Sequence, residues 1–149
     1  MSITAQHKWN VFQLDIKSAF LNGILQEEVY VEQPPGFEVL GQEHKVYRFN
    51  KALYGLKHAP RAWYSRINTY LIKSGFLRSR HEPTLYTKSH EGKIIIVCLY
   101  VDDLLHIGNM MLEDFKAAMQ AKFDMTDLGV MKYFLGIEIH QYVNGIFVS

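Results

Sequence analysis

Polar and apolar character alternates with period two along Val11-Phe-Gln-Leu-Asp15, so Phe12 and Leu14 face one way and Val11, Gln13 and Asp15 the other. The pattern predicts a strand that ends with Asp15 on its more polar face. A turn rich in Lys17, Ser18, Asn22 and Gly23 follows, and Glu28–Gln33 then combines β-branched and aromatic residues in a short strand that Val46–Phe49 can pair with. From Ala59 to Ser74 the period becomes helical. Trp63, Ile67, Tyr70 and Leu71 form the apolar stripe, Pro60 occupies the first turn and Gly75 stands just past the end. A second helix is predicted after Asn109 as N-cap, with Leu112, Phe115, Met119 and Phe123 as its stripe and Glu113 and Asp114 complementing its positive end. Tyr133–His140 and Gly145–Val148 read as strands joined by a turn near Asn144.

The run Ile94-Ile-Ile-Val-Cys-Leu-Tyr-Val-Asp-Asp-Leu-Leu-His-Ile107 breaks this pattern, because two adjacent aspartates interrupt an apolar stretch whose first half reads as a strand covered on both faces. A continuous strand would point Asp102 and Asp103 to opposite faces. The chain is therefore predicted to reverse at the pair and form a hairpin from Lys93 to Ile107. Two neighbouring carboxylates repel and resist desolvation unless a cation compensates, and hard divalent ions bound by carboxylate oxygens are the usual compensation. A water-exposed Asp-Asp turn is the other reading of the same residues.

Taken in order, the main elements run strand, helix, strand, strand, helix, strand. This is the order of a ferredoxin-like, split βαβ fold: α+β, with an antiparallel sheet and two helices on one face. By analogy with that fold, the first strand neighbours the start of the central hairpin, which brings Asp15 beside Asp102 and Asp103 on the open face. A carboxylate cluster holding two divalent ions about 4 Å apart serves phosphoryl transfer, and magnesium suits such oxygen ligands.

Composition mostly excludes. The 149 residues make one domain or part of one, and 9 Tyr, 9 Phe and 2 Trp in a chain that is 48% apolar argue against disorder. A net charge of +1 gives no global attraction to nucleic acid, so any such contact must be local. The single cysteine, Cys98, rules out an internal disulfide framework and fits a reducing compartment. No run reaches the roughly 20 apolar residues of a membrane helix, and Met1–Lys8 lacks the order of a signal peptide. A soluble, intracellular chain without a membrane partner is expected. Gln33–His44, with paired prolines and two glycines, reads as an irregular surface excursion. The seven histidines show no metal-binding spacing, and His106 is expected to be partly buried.

Four blocks then carry a resemblance: Leu14-Asp-Ile-Lys-Ser-Ala-Phe-Leu-Asn-Gly23, Lys51-Ala-Leu-Tyr-Gly-Leu-Lys-His-Ala-Pro-Arg-Ala-Trp-Tyr64, Leu99-Tyr-Val-Asp-Asp-Leu104, and Asp127-Leu-Gly129 followed by Tyr133-Phe-Leu-Gly-Ile-Glu138. In this order, over essentially the whole chain, they resemble the reverse transcriptase domain of copia-type (Ty1/copia) retrotransposon polyproteins. The resemblance implies a polymerase palm and RNA-directed DNA polymerase activity. It implies that Asp15, Asp102 and Asp103 are catalytic and bind two Mg2+ ions, or Mn2+, with the Ile16 backbone carbonyl as an auxiliary ligand. Phe20 would stand under the incoming sugar and exclude a 2′-hydroxyl, and Gly55 would let the backbone approach the nucleotide or template. Tyr100, Phe134, Leu135 and Gly136 would position the primer. For Phe20 and Gly55 the readings as a core aromatic in a turn and a plain turn glycine stay open, as does an apolar strand for residues 134–136.

By the same resemblance the partners would be an RNA or DNA template with its primer, deoxynucleoside triphosphates, and the fingers, thumb and RNase H regions of a parent polyprotein. Residues 1–149 would then be a partial reverse transcriptase domain, mainly palm, lacking those regions and located in the cytoplasm. Without fingers the isolated chain is expected to be weakly active or inactive, because positioning supplies much of catalysis. A truncated relic kept as a structural or nucleic-acid-binding module is the alternative. An RRM-like sheet should carry stacking aromatics where three acids are expected, and a nucleotidyl cyclase leaves the Lys51–Tyr64 and Tyr133–Glu138 blocks unexplained.

Overall fold

A computed structural model describes residues 2–110, 112–142 and 145–149. The chain divides into two compact units, Ser18–Thr69 and the remainder, Met1–Lys17 with Tyr70–Ser149. The fold is mixed, with antiparallel sheets and two longer helices, and among the described residues no helix is long and apolar enough to cross a membrane.

The larger unit begins with a short helix, α1 (Ser2–His7), and the predicted first strand, β1 (Phe12–Ile16). The smaller unit holds a 3-10 turn at Ala19–Asn22 and a two-stranded sheet of β2 (Ile24–Glu32) and β3 (Val46–Lys51), paired as expected through Val29↔Phe49 and Val31↔Tyr47. Between them the irregular excursion is tied down by Gln33, whose amide donates to the Gln42 and Lys45 carbonyls and accepts from the Val39 N–H. Helix α2 (Ala59–Lys73) carries the predicted stripe, with Trp63, Ile67 and Leu71 buried, and Gly75 follows at φ 85°.

The larger unit continues with β4 (Leu77–Arg78), β5 (Leu85–His90), β6 (Lys93–Tyr100), β7 (Asp103–Gly108), α3 (Leu112–Lys122) and β8 (Met125–Val130). These strands and β1 form one sheet in the order β4-β5-β6-β7-β1-β8. The sequence pattern misses β5 and β8. Leu85-Tyr-Thr-Lys-Ser-His90 is polar at its last four positions, and Met125-Thr-Asp-Leu-Gly-Val130 contains an aspartate and a glycine that weaken any strand signal. The strand after the second helix in this sheet is therefore β8, and the predicted Tyr133–His140 strand lies elsewhere. It divides into β9 (Tyr133–Phe134) and β10 (Ile137–Tyr142), which form a separate three-stranded sheet with β11 (Gly145–Val148). Leu135 and Gly136, both at positive φ, make the two-residue turn that splits it. The predicted turn at Asn144 lies outside the described residues.

Two further expectations are corrected. Strand β6 is not equally covered on both faces: Ile95, Val97 and Leu99 are buried, while Ile94, Ile96 and Cys98 are only half-buried. Asn109 caps a strand pair instead of a helix, since its Oδ1 accepts from the Ile94 N–H at 2.9 Å and its own N–H donates to the Ile94 carbonyl at 3.0 Å. An unpaired backbone at the end of β6 captures the amide before the helix can.

One face of the larger sheet buries Leu14, Leu104 and His106, with Phe115 of α3 against the His106 ring at 5.4 Å. His106 is 1% exposed, more deeply buried than its sequence position indicates, and neither ring nitrogen has a hydrogen-bond partner among the described residues. Burial, and then the neighbouring Lys116 ammonium, lower its pKa to about 4, while the Asp127 and Glu113 carboxylates act weakly the other way. The folded protein holds the ring neutral, whereas the unfolded chain takes up a proton near pH 6.5, so this contribution to stability is full above that pH and lost as pH falls toward 4. Between pH 7 and 4.5 the wild type is expected to lose about 2–3 kcal/mol more than a His106→Leu variant in urea denaturation.

On the opposite face Val11, Met131 and Ile139 form an apolar cluster joined by Leu105, Ile107, Phe134 and Ile146, which packs the three-stranded sheet over this end of the larger one. Gln141 fastens the junction. Its Oε1 accepts from the Val11 N–H at 2.7 Å, and its Nε2 donates to the Val11 and Met131 carbonyls at 3.0 and 2.8 Å. A Gln141→Leu variant strands the part-buried Val11 N–H and Met131 carbonyl, while the Val11 carbonyl keeps its bond from the Met131 N–H, and it is expected to cost about 2–4 kcal/mol, read as a lower urea midpoint.

Candidate active site

The aspartate pair lies at the chain reversal that its sequence predicts. Strand β6 ends at Tyr100, a two-residue turn occupies Val101 and Asp102, and β7 starts at Asp103, with Tyr100 opposite Asp103 in the ladder. Val101 has φ 53°, a left-handed conformation that a β-branched side chain adopts at a cost of roughly 1–3 kcal/mol.

Strand β1 lies against β7, with Asp15 the direct cross-strand partner of Asp103 and Leu14 that of Leu104. The neighbour of β1 is thus the second strand of the hairpin, entered just past the turn, and not the start of the hairpin as expected. The Ile16 N–H donates to the Asp102 carbonyl at 2.8 Å and carries the pairing up to the tip. Because residues directly opposite share a face, Asp15 and Asp103 project to the same side, with Asp102 one residue away. The Ile16 side chain is buried, so only its backbone could serve an ion there.

Electrostatics support this proximity. Partial burial raises the Asp15 carboxyl above the ordinary carboxylate range, and the charges of Asp102 and Asp103 raise it further, with Lys17 opposing weakly. Lys17 itself pairs with Asp124 at 3.4 Å. The donors are all hard carboxylate oxygens, the chemistry that suits magnesium or manganese. As they stand, no three acidic, histidine or cysteine side chains among the described residues are drawn together into a ready ligand set. The donor chemistry and the mutual repulsion fit a divalent cation, and ligation requires the half-buried Asp15 and Asp103 and the exposed Asp102 to turn toward a common point.

Tyr100, beside the pair in sequence, meets Phe134 edge to face at 5.6 Å, which links the hairpin to the β9–β10 turn formed by Leu135 and Gly136. Leu135 is more than half exposed at that tip. The four residues assigned to the primer are therefore gathered around one contact. In the smaller unit Phe20 lies against Tyr54 at 5.4 Å, and Gly55 follows Tyr54 at φ 91° with open space where a Cβ would stand. His58 pairs with Glu27 at 3.3 Å in the same unit.

One residue at this site escaped the sequence reading. Gln13 is 8% exposed, and its Nε2 donates to Asp103 Oδ1 at 2.7 Å. The available signal was a carboxamide two residues before Asp15 on the same strand face.

A profile of the family described as reverse transcriptase (RNA-dependent DNA polymerase) matches residues 1–149. Similar proteins include the retrovirus-related Pol polyprotein from transposon TNT 1-94 of Nicotiana tabacum, 43% identical over 142 residues that cover 93% of this chain and 11% of the polyprotein. The retrovirus-related Pol polyprotein from transposon RE2 of Arabidopsis thaliana is 38% identical over 151 residues, covering 100% of this chain and 10% of the polyprotein. A putative transposon Ty5-1 protein of Saccharomyces cerevisiae is 39% identical over 134 residues, covering 89% of this chain and 44% of that protein. The chain spans about a tenth of the length of the two plant polyproteins it matches.

Proposed function

The chain belongs to the reverse transcriptase family, of the copia type found in retrotransposon Pol polyproteins, and we propose that it forms the palm of an RNA-directed DNA polymerase. On this reading it joins a primer 3′-hydroxyl to a deoxynucleoside triphosphate on an RNA or DNA template and releases pyrophosphate. The observation that carries the reading is the cross-strand pairing of Asp15 with Asp103 beside the strained Val101–Asp102 turn. The strand order β6-β7-β1-β8, with helices between β1 and β6 and between β7 and β8, supports a ferredoxin-like, split βαβ palm as its framework.

Members of the family generally use divalent metals. Asp15, Asp102 and Asp103 would hold two Mg2+ ions, or Mn2+, with the Ile16 carbonyl as an auxiliary ligand. Two ions bound there supply activation of the attacking oxygen and neutralisation of charge on the transferred phosphate. The protein's part is positioning. Tyr100 and Phe134 brace the Leu135–Gly136 turn, which would support the primer end. Phe20, backed by Tyr54, would present a bulky edge to the sugar and reject a 2′-hydroxyl, and Gly55 would leave room for a close backbone approach to the nucleotide. Fingers, thumb and RNase H regions of a parent polyprotein would supply the remaining template and triphosphate contacts.

A second reading has one observation in its favour. The described acids are not gathered into a ready ligand set, as they would not need to be in a relic that keeps the fold as a structural or nucleic-acid-binding module. The test is primer extension on an RNA template with residues 1–149 grafted into the Pol polyprotein of the tobacco relative. Mg2+-dependent extension that disappears with Asp102→Asn supports the polymerase, whereas a graft that extends nothing, with or without the substitution, favours the relic.

A further inference from the structure

A glutamine amide buried beside an apolar cluster is costly unless its polar atoms find partners. Gln13 occupies such a position. It lies on the β1 face that also carries Val11 and Asp15, its cross-strand neighbours are Leu105 in β7 and Gly129 in β8, and it is 8% exposed. Its carboxamide N–H donates to Asp103 Oδ1 at 2.7 Å across 90 residues of sequence. Gly129 contributes no side chain on one flank, and the ladder shifts register between Gln13 and Leu14, so that Gln13 faces Gly129 while Leu14 faces Asp127. The bulge and the glycine leave the β8 side of Gln13 uncrowded, and Leu105 on the other side is fixed in the apolar cluster of Val11, Met131 and Ile139.

We propose that Gln13 is a positioning residue for the carboxylate site: its N–H holds one oxygen of Asp103 and fixes the side-chain torsion, which aims the other oxygen at the point shared with Asp15. The proposal rests on the polymerase reading of the three aspartates and adds to it a residue that touches neither metal nor substrate. The physical need is specific to this site. Asp103 stands directly opposite Asp15, and two like charges drive each other's side chains outward into water. A donor anchored in the sheet opposes that rotation. Gln13 adds no charge of its own, so the anionic character needed for a cation is kept. Partners of this kind around ligating carboxylates typically change metal affinity or activity by about 10–100-fold when removed.

The test uses the full chain in four forms: wild type, Gln13→Met, Asp103→Asn and the double variant. Met fills the volume of Gln without a donor, and urea denaturation of each form without metal verifies folding. Mn2+ alone is the probe, followed by isothermal titration. The expected result is Mn2+ binding by the wild type, weakened about 10–100-fold in Gln13→Met, with the double variant no weaker than Asp103→Asn. That non-additivity marks action through Asp103, because a merely structural role would weaken binding additively. A second readout needs no metal: the side-chain amide resonances of Gln13 should shift on Asp103→Asn and stay put on a distant surface substitution such as Glu91→Gln.

Wild-type binding that Asp103→Asn weakens and Gln13→Met leaves unchanged overturns the proposal and keeps the aspartate site. Additive losses overturn it as well. A wild-type chain that binds no Mn2+, or binds it equally well as Asp103→Asn, removes the carboxylate site and the proposal together.

Discussion

An Asp15→Asn variant, grafted as residues 1–149 into a related Pol polyprotein, is expected to lose about 10²–10³-fold in Mg2+-dependent primer extension, a loss of the size seen when one preorganised charge-stabilising group is removed. The same variant should not be less stable than the wild type in the absence of metal. Partial burial and the charges of Asp102 and Asp103 raise the Asp15 pKa, which means that its ionised form is disfavoured in the folded chain. The sign follows: a carboxyl whose folded pKa lies above its unfolded value makes the fold less stable as pH rises through that window. Neutral Asn removes this penalty at pH 7. On the proposed reading, carboxylates gathered for cations cost stability when free of them, and losing function while keeping or gaining stability is the signature to look for. The pair of measurements is incorporation rate against urea midpoint on the same samples. Retained extension would remove Asp15 from the chemistry, and a large drop in the midpoint would make it a structural acid.

The largest effect on stability is expected from Gly108→Ala. Gly108 ends β7 opposite Ile95 at φ 148°. A Cβ there would stand 2.9 Å from the Ile95 Cα and overlap the Ile94 carbonyl, both backbone atoms that cannot rotate away. The Ile94 carbonyl is the acceptor for the Asn109 N–H, so the clash would also break the clasp that closes the β6–β7 ladder. Backbone strain of about 1–3 kcal/mol and a similar overpacking cost sum to roughly 2–6 kcal/mol. Against a total stability of about 5–15 kcal/mol for a domain, this brings the unit close to unfolding at room temperature. A urea midpoint lowered with an unchanged slope is the expected observation; a midpoint within experimental error of wild type would mean that the end of β7 yields freely. Since β7 begins with Asp103, weakening its far end is also expected to loosen the register that sets Asp103 against Asp15.

Much of the site was legible from residue order. The adjacent aspartates in an apolar run required a reversal, and the chain turns at Val101–Asp102. Alternation in Val11–Asp15 put Gln13 and Asp15 on one face, which is the face on which they meet Asp103. The helical stripe of Trp63, Ile67 and Leu71 is buried as its spacing requires. These features share a cause: each is written within about a dozen residues, where backbone geometry alone converts spacing into direction.

What the sequence determined by itself is therefore local: where the strongly patterned strands and helices lie, which way their side chains point, and that two acids would sit at a turn. Only the tertiary structure decided which distant segment completes each unmet requirement. It made the weakly patterned Met125–Val130 the neighbour of β1, and divided Tyr133–His140 at Leu135–Gly136. It turned Asn109 toward the Ile94 backbone instead of a helix, and gave the buried amide of Gln13 to Asp103. Apart from the local turn at Leu135–Gly136, each case satisfies a polar group left unpaired by its own segment with one from another segment of the chain. The free energy of burying a polar group depends on the partner that the fold brings to it, and spacing along a single strand or helix carries no record of that partner.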